Sequence, residues 1–415
     1  MKSILNAILA ALLIGSTGCA VFSHGSFNVR KFGAAGDGVT KDTAAFQNAI
    51  NACAKANGGT VVVPRGNYLI GSIELRSFVT LRLAKDAHLL GSPDLDDYPV
   101  TKVRWEGHWV DGHRGLIYAR EATHLGIVGP GTISANPALG GRQMPRRPVL
   151  IEPITCLDVR LDGFSTEHKN MWSIHPVYCN GFTARNLVIR STGGNGDGID
   201  VDSTAHVRIE NCDIATGDDC VAIKSGRGME GYRLARATED VTITGCTMAD
   251  SNFACIGIGS ETSGGIRGVR IDHCKFTHAK SCAIYIKSNT GRGAFIEDIA
   301  AQDLDVATAP GGFLRINLVG SGIKDAEPVT GDEGIPRARN FSFKNIKVDC
   351  GTLVDAAATS PVKPVSNFSL ANVTGTCMKA ITLANMTNVV LQDIHVTGYE
   401  GPFLTLTNVS GTGLK

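Results

Sequence analysis

Three things are scarce in this chain of 415 residues: aromatic side chains, net charge and any linker that would divide it. Aromatic residues make up 6% of the sequence whereas glycine occurs 49 times, which favours many short strands with tight corners over a helical bundle. A formal net charge of +1 gives no strong field, so we expect no nucleic-acid partner. Because no linker is present, we expect residues 21–415 to form a single domain.

Metal-ligand spacing is missing as well. No cluster of cysteine and histidine residues has the spacing of a metal site, and we expect no metal. Twelve cysteines would suggest disulfides in an exported protein. However, Cys212, Cys246 and Cys274 share one phase of a repeat, and Cys220 and Cys255 share another. Stacked core positions explain such columns more simply, and oxidation of some pairs stays the alternative.

Residues 1–20 have the pattern of an export signal. Lys2 supplies the positive start and residues 4–14 the apolar stretch, which is too short for a stable membrane span. Gly18-Cys19 resembles a bacterial lipoprotein cleavage site with Cys19 lipidated, which predicts a lipid-anchored protein of the bacterial cell envelope. Ser16 stands where leucine is usual, so plain secretion to the periplasm or the medium is the alternative.

A loose repeat of the form apolar-x-apolar-x-x-apolar-x-apolar begins near residue 123. Copies start at Phe182, Val207, Val241, Val269, Ile299, Phe341 and Val389, and the first four spacings are 25, 34, 28 and 30 residues. Alternation inside each copy predicts strands with one buried face, and the variable spacing predicts loops of different length. A propeller would need steadier spacing and a leucine-rich repeat would need its consensus. The sequence therefore predicts an all-β fold, a single-stranded right-handed parallel β-helix.

One helix is expected near the start of this fold, over residues 42–54. Phe46, Ala49, Ile50 and Cys53 fall at helical spacing, and Asp42 is the expected N-cap. Such a capping helix would cover one end of the coil and hide an edge that would otherwise pair with another chain. We accordingly expect a monomer.

A second strand aligns in phase across six coils. One column of outward positions holds His175, Asp202, Lys224, Gly259, Lys287 and Asn317, and its neighbour holds Ser173, Asp200, Ala222, Gly257, Tyr285 and Arg315. A polar strip along one face of a β-helix predicts a groove for an extended ligand. Within that strip we expect Lys224 to neutralise Asp202 across one strand spacing.

Three carboxylates beside this strip predict acid–base chemistry. Asp197 aligns with Asp219, 22 residues later, on strands about 4.8 Å apart, and Asp218 precedes Asp219 at a corner. Crowded carboxylates repel, so one should keep its proton to a higher pH while another stays ionised. Glycoside hydrolysis needs such a pair, and a separation of about 6.5–9.5 Å would predict inversion. Aspartate also suits turns, but three carboxylates in register favour a functional site.

Over most of residues 27–320, the chain resembles glycoside hydrolase family 28, the polygalacturonase family. Asn195-Gly196-Asp197 is similar to the family's Asn-Thr-Asp, Gly217-Asp218-Asp219 matches its Gly-Asp-Asp, and Lys287 is similar to the lysine of its Arg-Ile-Lys. The resemblance implies an inverting hydrolase of acidic plant cell-wall polysaccharide or oligosaccharide that needs no cofactor. Asp218 would be the general acid, Asp197 and Asp219 would activate the water, and Lys287 would bind a sugar carboxylate.

Two positions depart from the family pattern. The family's Gly-His-Gly is replaced by Asn252-Phe253-Ala254, and the arginine of Arg-Ile-Lys is Tyr285. Lysine cannot replicate the lost bidentate contact. We expect Arg315, one coil further on, to restore it in part and Tyr285 to offer a stacking face for a sugar; a solvated surface arginine is the alternative. The expected substrate-binding set is completed by Asn195, His175 and Phe253.

Two further functions stay open. A calcium-dependent pectic polysaccharide lyase would hold calcium at the acidic cluster and use a lysine or arginine to abstract a proton. A non-catalytic surface carbohydrate-binding protein would bind the same polymer without turnover.

Residues 85–120, which contain Trp105, His108 and Trp109, are a candidate insertion. An insertion of this kind closes one end of the groove in an exo-acting enzyme. We expect exo action on short fragments.

Overall fold

The computed structural model describes residues 25–139, 144–169 and 171–415. The predicted export signal and Cys19 lie outside the described residues. The described chain winds into a right-handed parallel β-helix in which strands pair with the equivalent strands of the coils before and after. Each full coil contributes strands to three faces.

The first face, here called the groove sheet, carries the predicted polar strip. Its strands are β5 (Ile73–Glu74), β10 (Ile117–Arg120), β13 (Ile151–Ile154), β18 (Ile199–Asp202), β21 (Val221–Lys224), β24 (Ala254–Ile258), β27 (Cys282–Lys287) and β29 (Leu314–Asn317). Single bridges at Ile174 and Val177 join β13 to β18.

The second face lies next along the chain in each coil. Its strands are β1 (Gly25–Asn28), β3 (Gly59–Val63), β6 (Val79–Leu83), β11 (Thr123–Val128), β14 (Leu157–Asp162), β16 (Asn180–Arg185), β19 (Ala205–Glu210), β22 (Thr238–Thr244) and β25 (Ile266–Asp272).

The third face completes the coil and leads back to the groove sheet. Its strands are β2 (Asp37–Lys41), β4 (Gly66–Ile70), β7 (Ala87–Gly91), β12 (Thr132–Ser134), β15 (Ser165–Lys169), β17 (Val188–Thr192), β20 (Asp213–Ala215), β23 (Thr247–Ala249) and β26 (Lys275–Thr277). Four later strands run on from one face to the next: β28 (Phe295–Ala309), β30 (Arg337–Ala358), β31 (Val365–Thr397) and β32 (Leu404–Thr412).

The predicted repeat is confirmed on the second face. Each copy pairs with the next in the expected register, through Phe182, Val207, Val241, Val269, Ile299 and Phe341. All of these side chains are fully buried, so they form one continuous column of the core. The structure adds earlier coils that the pattern missed, since Phe27 pairs with Val61 and Val61 with Leu81.

The eleven described cysteines are free and buried. Cys212, Cys246 and Cys274 stack in the predicted column, and the backbone N–H of Cys212 lies 3.5 Å from Sγ of Cys246. These thiols pack in the core as small apolar side chains.

Asparagines form a ladder at a corner of the last coils. Asn340, Asn367 and Asn388 all adopt positive φ angles, of 61°, 60° and 55°, a conformation that asparagine tolerates better than most residues. The side-chain amide of Asn367 donates to Asn340 at 2.8 Å and that of Asn388 donates to Asn367 at 3.1 Å. Each corner is therefore bonded to the corner of the coil before it.

The expected helix is α1 (Thr43–Lys55), whose apolar side packs against the first coil. Asp42 occupies the N-cap position but does not cap the helix with its side chain. Its carboxylate instead accepts hydrogen bonds from the N–H groups of Ala35, at 2.7 Å, and Gly36, at 2.9 Å. The predicted N-cap position is confirmed, but the side chain makes no capping hydrogen bond because this loop takes both of its oxygens. That α1 protects the end of the coil stays a prediction.

The predicted insertion contains an antiparallel hairpin, formed by β8 (Val100–Trp105) and β9 (His108–His113). A short helix, α2 (Gly228–Leu234), follows β21. Three 3₁₀ turns complete the described elements: Val29–Phe32, Leu95–Asp97 and Gly331–Gly334. Within the described parts of the chain, no helix is both long and apolar enough to cross a bilayer.

Candidate active site

The three predicted carboxylates lie at the turns that lead from the third face into the groove sheet. Asp197 precedes β18, and Asp218 and Asp219 precede β21. Ile199 pairs with Val221, which places Asp197 beside Asp219 as the sequence alignment predicted. One oxygen from each carboxylate lies within 4.8 Å of the other two. The structure thus brings all three side chains to one point.

Close backbone approach fixes these turns. A Cβ on Gly217 would lie 2.4 Å from the carbonyl oxygen of Gly193, and one on Gly198 would lie 2.3 Å from that of Cys220. Both distances are far below any ordinary contact, so only glycine fits at the two positions. The two glycines therefore allow the two acidic turns to pack directly against each other.

Asp218 is the most accessible of the three carboxylates, being only partly buried. It accepts hydrogen bonds from the backbone N–H of Asn195 at 3.2 Å and from that of Asp219 at 3.0 Å. Asn195 presents its N–H because it adopts a φ of 57°. Burial, and then the neighbouring charge of Asp219, raise the pKa of the Asp218 carboxyl. Asp218 therefore keeps a proton more readily than a free aspartate does.

Asp219 is buried and is held on both oxygens. One accepts from the N–H of Ala254 at 3.0 Å and the other from the Lys287 ammonium at 2.7 Å. A Cβ on Gly257 would lie 2.3 Å from the second oxygen, so glycine is needed to leave room for this pair. A hydrogen-bonded ammonium stabilises the ionised form of a carboxylate.

Asp197 is 4% exposed. Among the described residues, one of its oxygens has no hydrogen-bond partner. The other lies 3.9 Å from the ammonium of Lys224. Burial, and then the charges of Asp200 and Asp218, raise the pKa of Asp197 well above its usual value.

Carboxylate oxygens at this spacing would also suit a divalent cation. Here the chain supplies positive charge itself, because Lys287 contacts Asp219 and Lys224 lies beside Asp197. The arrangement fits proton transfer between crowded acids better than it fits an ion site.

Comparison with known proteins places the chain in a family. The sequence profile described as "Rhamnogalacturonase A/epimerase, pectate lyase-like" matches residues 26–277. A probable polygalacturonase of Vitis vinifera is 31% identical over 384 residues, which cover 88% of this chain and 77% of that protein. The chain belongs to the polygalacturonase family, glycoside hydrolase family 28.

Two solved structures share the fold. A family 28 exopolygalacturonase of Yersinia enterocolitica is 19% identical and covers 93% of this chain and 78% of its own, with a TM-score of 0.77. A hyperthermoactive exopolygalacturonase of Thermotoga maritima is 24% identical and covers 94% of this chain and 92% of its own, with a TM-score of 0.68. The right-handed β-helix of this chain is therefore the fold of these polygalacturonases.

Downstream of the acids, two cationic side chains flank a tyrosine on the groove sheet of this polygalacturonase fold. The Tyr285 ring lies between two cations, with the Lys287 ammonium 5.4 Å and the Arg315 guanidinium 5.3 Å from its centroid. Tyr285 and Arg315 are register partners, and the Arg315 side chain is 46% exposed, with Asp355 at 3.6 Å. Phe253, 50% exposed, stands beside the acids, since the next residue is the Ala254 that binds Asp219. Phe253 and Arg315 are therefore exposed to solvent, whereas Tyr285 is only 9% exposed and packs with Ala254 and Cys282. The stacking face expected of Tyr285 is not open, because its ring is buried.

His175 is not brought to the surface. It is 1% exposed, its ring meets Trp172 edge-on, and its Nδ1 lies 3.6 Å from Glu152. The bridges from Ile174 to Ile199 and from Val177 to Asp202 place His175 opposite Asp200. The predicted column with Asp202 is wrong by two residues, and the predicted substrate contact is not made because His175 lies inside the protein.

The predicted pair of Lys224 with Asp202 is also wrong. The Lys224 ammonium donates to Asp200. Asp202 instead pairs with Arg104 of the hairpin at 3.2 Å, and Arg104 also binds Glu230 of α2 at 2.7 Å. Arg104 inserts over Asp202 and supplies the charge that the prediction assigned to Lys224.

The hairpin covers the groove sheet upstream of the acids. Trp105 stacks on Trp172 with a centroid distance of 4.9 Å. At the tip, Glu106 lies 3.6 Å from Arg227, which in turn pairs with Asp325 at 2.8 Å. These contacts hold the hairpin against the body of the polygalacturonase fold.

Proposed function

We propose that this glycoside hydrolase of the polygalacturonase family cleaves galacturonate-containing pectic chains from one end. The observation that carries the proposal is the cluster of Asp197, Asp218 and Asp219, with Lys287 and Arg315 on the following coils. Crowded carboxylates of differing protonation suit acid–base hydrolysis of a glycosidic bond, and lysine and arginine suit a uronate.

The three carboxylates divide into an acid and a base. Asp218 is the general acid, because it is the most accessible of the three carboxylates and its pKa is raised by partial burial, which favours its protonated form. Asp197 and Asp219 activate the water, and the Lys287 ammonium holds one oxygen of Asp219 in place by a hydrogen bond.

Inversion rests on the family resemblance rather than on spacing. The nearest oxygens lie within 4.8 Å, closer than the separation of about 6.5–9.5 Å between the carboxyl groups of inverting enzymes. The anomer released first from the substrate decides the point. Proton NMR of a fresh digest should show the anomer opposite to the cleaved linkage; retention would overturn the assignment.

Uronate recognition is assigned to Lys287 with help from Arg315. Tyr285 replaces the family's arginine, and its ring is flanked by both cations. We infer that Arg315 takes over part of the lost carboxylate contact, while the buried Tyr285 ring packs between the two cations. Phe253, in place of the family's histidine, supplies an exposed apolar face, and the backbone of Asn195 orients the acid.

Exo action follows from the hairpin. With β8 and β9 packed over the groove sheet upstream of the acids, a chain can extend only downstream. Digestion of polygalacturonate should therefore release a short product of constant size while viscosity falls slowly. A rapid fall in viscosity with a ladder of products would show endo action.

The lyase alternative is tested in the same digests. A lyase product carries a double bond that absorbs in the ultraviolet, and a calcium-dependent enzyme stops with a chelator. We expect no absorbing product and full activity in chelator. The absence of any product from polygalacturonate, rhamnogalacturonan and xylogalacturonan would favour the non-catalytic binding protein.

We further propose that the protein is exported and anchored through a lipid on Cys19. The support is the pattern of residues 1–20. Labelling with a radioactive fatty acid in a bacterial host should mark the wild type and not Cys19→Ala. An unlabelled wild type would favour plain secretion.

A further inference from the structure

Lys224 of β21 lies beside the acidic turn before β18. Its ammonium hydrogen-bonds one oxygen of Asp200 and lies 3.9 Å from an oxygen of Asp197. The ring of Trp172 lies 4.0 Å from the same ammonium and limits its movement. Lys224 is 7% exposed, so this positive charge is fixed inside the protein.

Both carboxylates that share Lys224 are under-satisfied. Within the described part of the chain, one oxygen of Asp197 and one oxygen of Asp200 are buried without a hydrogen-bond partner. Burial raises the pKa of Asp200 to about 7 even though Lys224 opposes the shift. One ammonium thus serves two carboxylates and fully satisfies neither.

The charges that face this pair come from several coils. They are Asp197 and Asp200 on one turn and strand, Asp218, Asp219 and Lys224 on the next, and Glu261, Lys287 and Arg292 beyond them. Burial opposes ionisation of Glu261, but Lys224 and then Arg292 outweigh it and lower its pKa. Glu261 is therefore a further negative charge that attracts the Lys224 ammonium and competes with Asp197 for it.

We propose that Lys224 is a positioning residue. Asp200 holds the Lys224 ammonium away from Asp197, and the pair of Asp200 and Lys224 thereby sets the pH at which Asp197 becomes a base. The proposal rests on the proposed function, since it assigns Asp197 the role of base. Asp200 and Lys224 act through Asp197 and need not touch the substrate.

The consequence for pH has a definite sign. Asp197 works as a base only when ionised, so activity rises with pH through the pKa of Asp197. Asp200→Asn removes the competing charge and leaves Lys224 to Asp197. The ionised form of Asp197 is then favoured at lower pH, and the acid limb of kcat/KM moves down by about one pH unit, since a single charge a few ångströms away shifts a carboxyl by about 1–3 units.

The test is the pH profile of kcat/KM for wild type, Asp200→Asn and Lys224→Gln. We expect the acid limb to move down in Asp200→Asn and up in Lys224→Gln. Asp213→Asn, an exposed aspartate on the third face, removes the same charge far from the site and should leave the limb in place. An unmoved limb in Asp200→Asn, or a downward shift in Lys224→Gln, overturns the proposal. If Lys224→Gln does not fold, Asp200→Asn alone decides.

A measurement without substrate separates this proposal from the proposed function. In free enzyme labelled with [4-¹³C]aspartate, the Asp197 carboxyl, assigned with Asp197→Asn, should titrate at a lower pH in Asp200→Asn than in wild type. Equal titration in the two proteins overturns the positioning role even if pectic chains are cleaved. If the Asp197 titration shifts but the protein cleaves no pectic chain, the positioning role of Asp200 and Lys224 is supported and the proposed hydrolase function is overturned.

Discussion

The outer face of the groove sheet differs sharply on the two sides of the acidic turns. Upstream, Glu152, His175 and Asp202 are buried; Glu152 pairs with Arg146 from the segment before β13, and Asp202 pairs with Arg104 of the hairpin. Downstream, Arg315 and its partner Asp355 are 46% and 43% exposed. The same strand register therefore produces a protein interior or a binding surface, and a covering segment decides which.

The largest effect on activity is expected at Asp218, which lies at the boundary between the upstream and downstream halves of the groove sheet. Asp218→Asn removes the transferable proton and keeps one of the two oxygens that accept the local hydrogen bonds. We expect kcat on polygalacturonate, followed by reducing ends, to fall about 10²–10⁴-fold, the usual contribution of a general acid. Asp272→Asn on the second face serves as the control with unchanged rate. Turnover that survives in Asp218→Asn would refute the acid role.

The second largest difference between the upstream and downstream halves of the groove sheet is expected in how much a charge substitution lowers the free energy of unfolding. Glu152→Gln leaves Arg146, which it contacts at 2.6 Å with both side chains buried, as an unpaired buried cation. We expect a loss of about 3–5 kcal/mol in the free energy of unfolding, from urea titration. Asp355→Asn breaks the exposed pair with Arg315 and should cost about 0–1 kcal/mol. Equal losses would mean that the upstream charges are not interior.

Trp105→Ala tests whether the hairpin closes the groove. Without the stack on Trp172 the upstream half should open, and the share of longer oligosaccharides in a chromatographed digest should rise. The lost aromatic contact is worth about 0.5–1.5 kcal/mol beyond buried area, so we expect a partial change. Trp109→Ala, on the other strand and packed on Tyr178, controls for general weakening of the hairpin. Product lengths that stay constant in Trp105→Ala, or change equally in both variants, would argue against closure.

The smallest effect is expected at Arg315. Arg315→Ala should raise KM for galacturonate oligomers about 5-fold with kcat unchanged, because an exposed ion pair contributes about 1 kcal/mol or less. The increase should shrink in high salt. Arg270→Ala, a 64% exposed arginine on the second face, should change nothing. An unaltered KM for Arg315→Ala would leave it a solvated surface residue.

The sequence predicted the core columns and the acidic turns because both depend on local pattern. Val207 and Val241 sit on strands whose alternation is complete, and Asp197 and Asp219 each lie two residues before paired strands. His175 was misplaced because its segment pairs through single bridges rather than a full strand. A slip of two residues keeps the outward phase, so alternation cannot detect it.

The charge partners upstream were out of reach of the sequence for a different reason. Arg104 and Asp202 are 98 residues apart and lie on elements of different kinds, a hairpin and a coil. No periodicity relates them. The predicted polar strip contained Asp200, Asp202 and Lys224. Strand register alone could not show that the Lys224 ammonium would bind Asp200 and not Asp202.

The asparagine ladder has a consequence for how such a protein can change over generations. In the part of the chain that the structure describes, the amides of Asn340, Asn367 and Asn388 bond to the corner of the preceding coil. A whole turn of chain duplicated or lost there should therefore leave the reaction centre undisturbed. The far end of the molecule can thus be lengthened or trimmed in increments of about 4.8 Å, while the chemistry it serves stays the same.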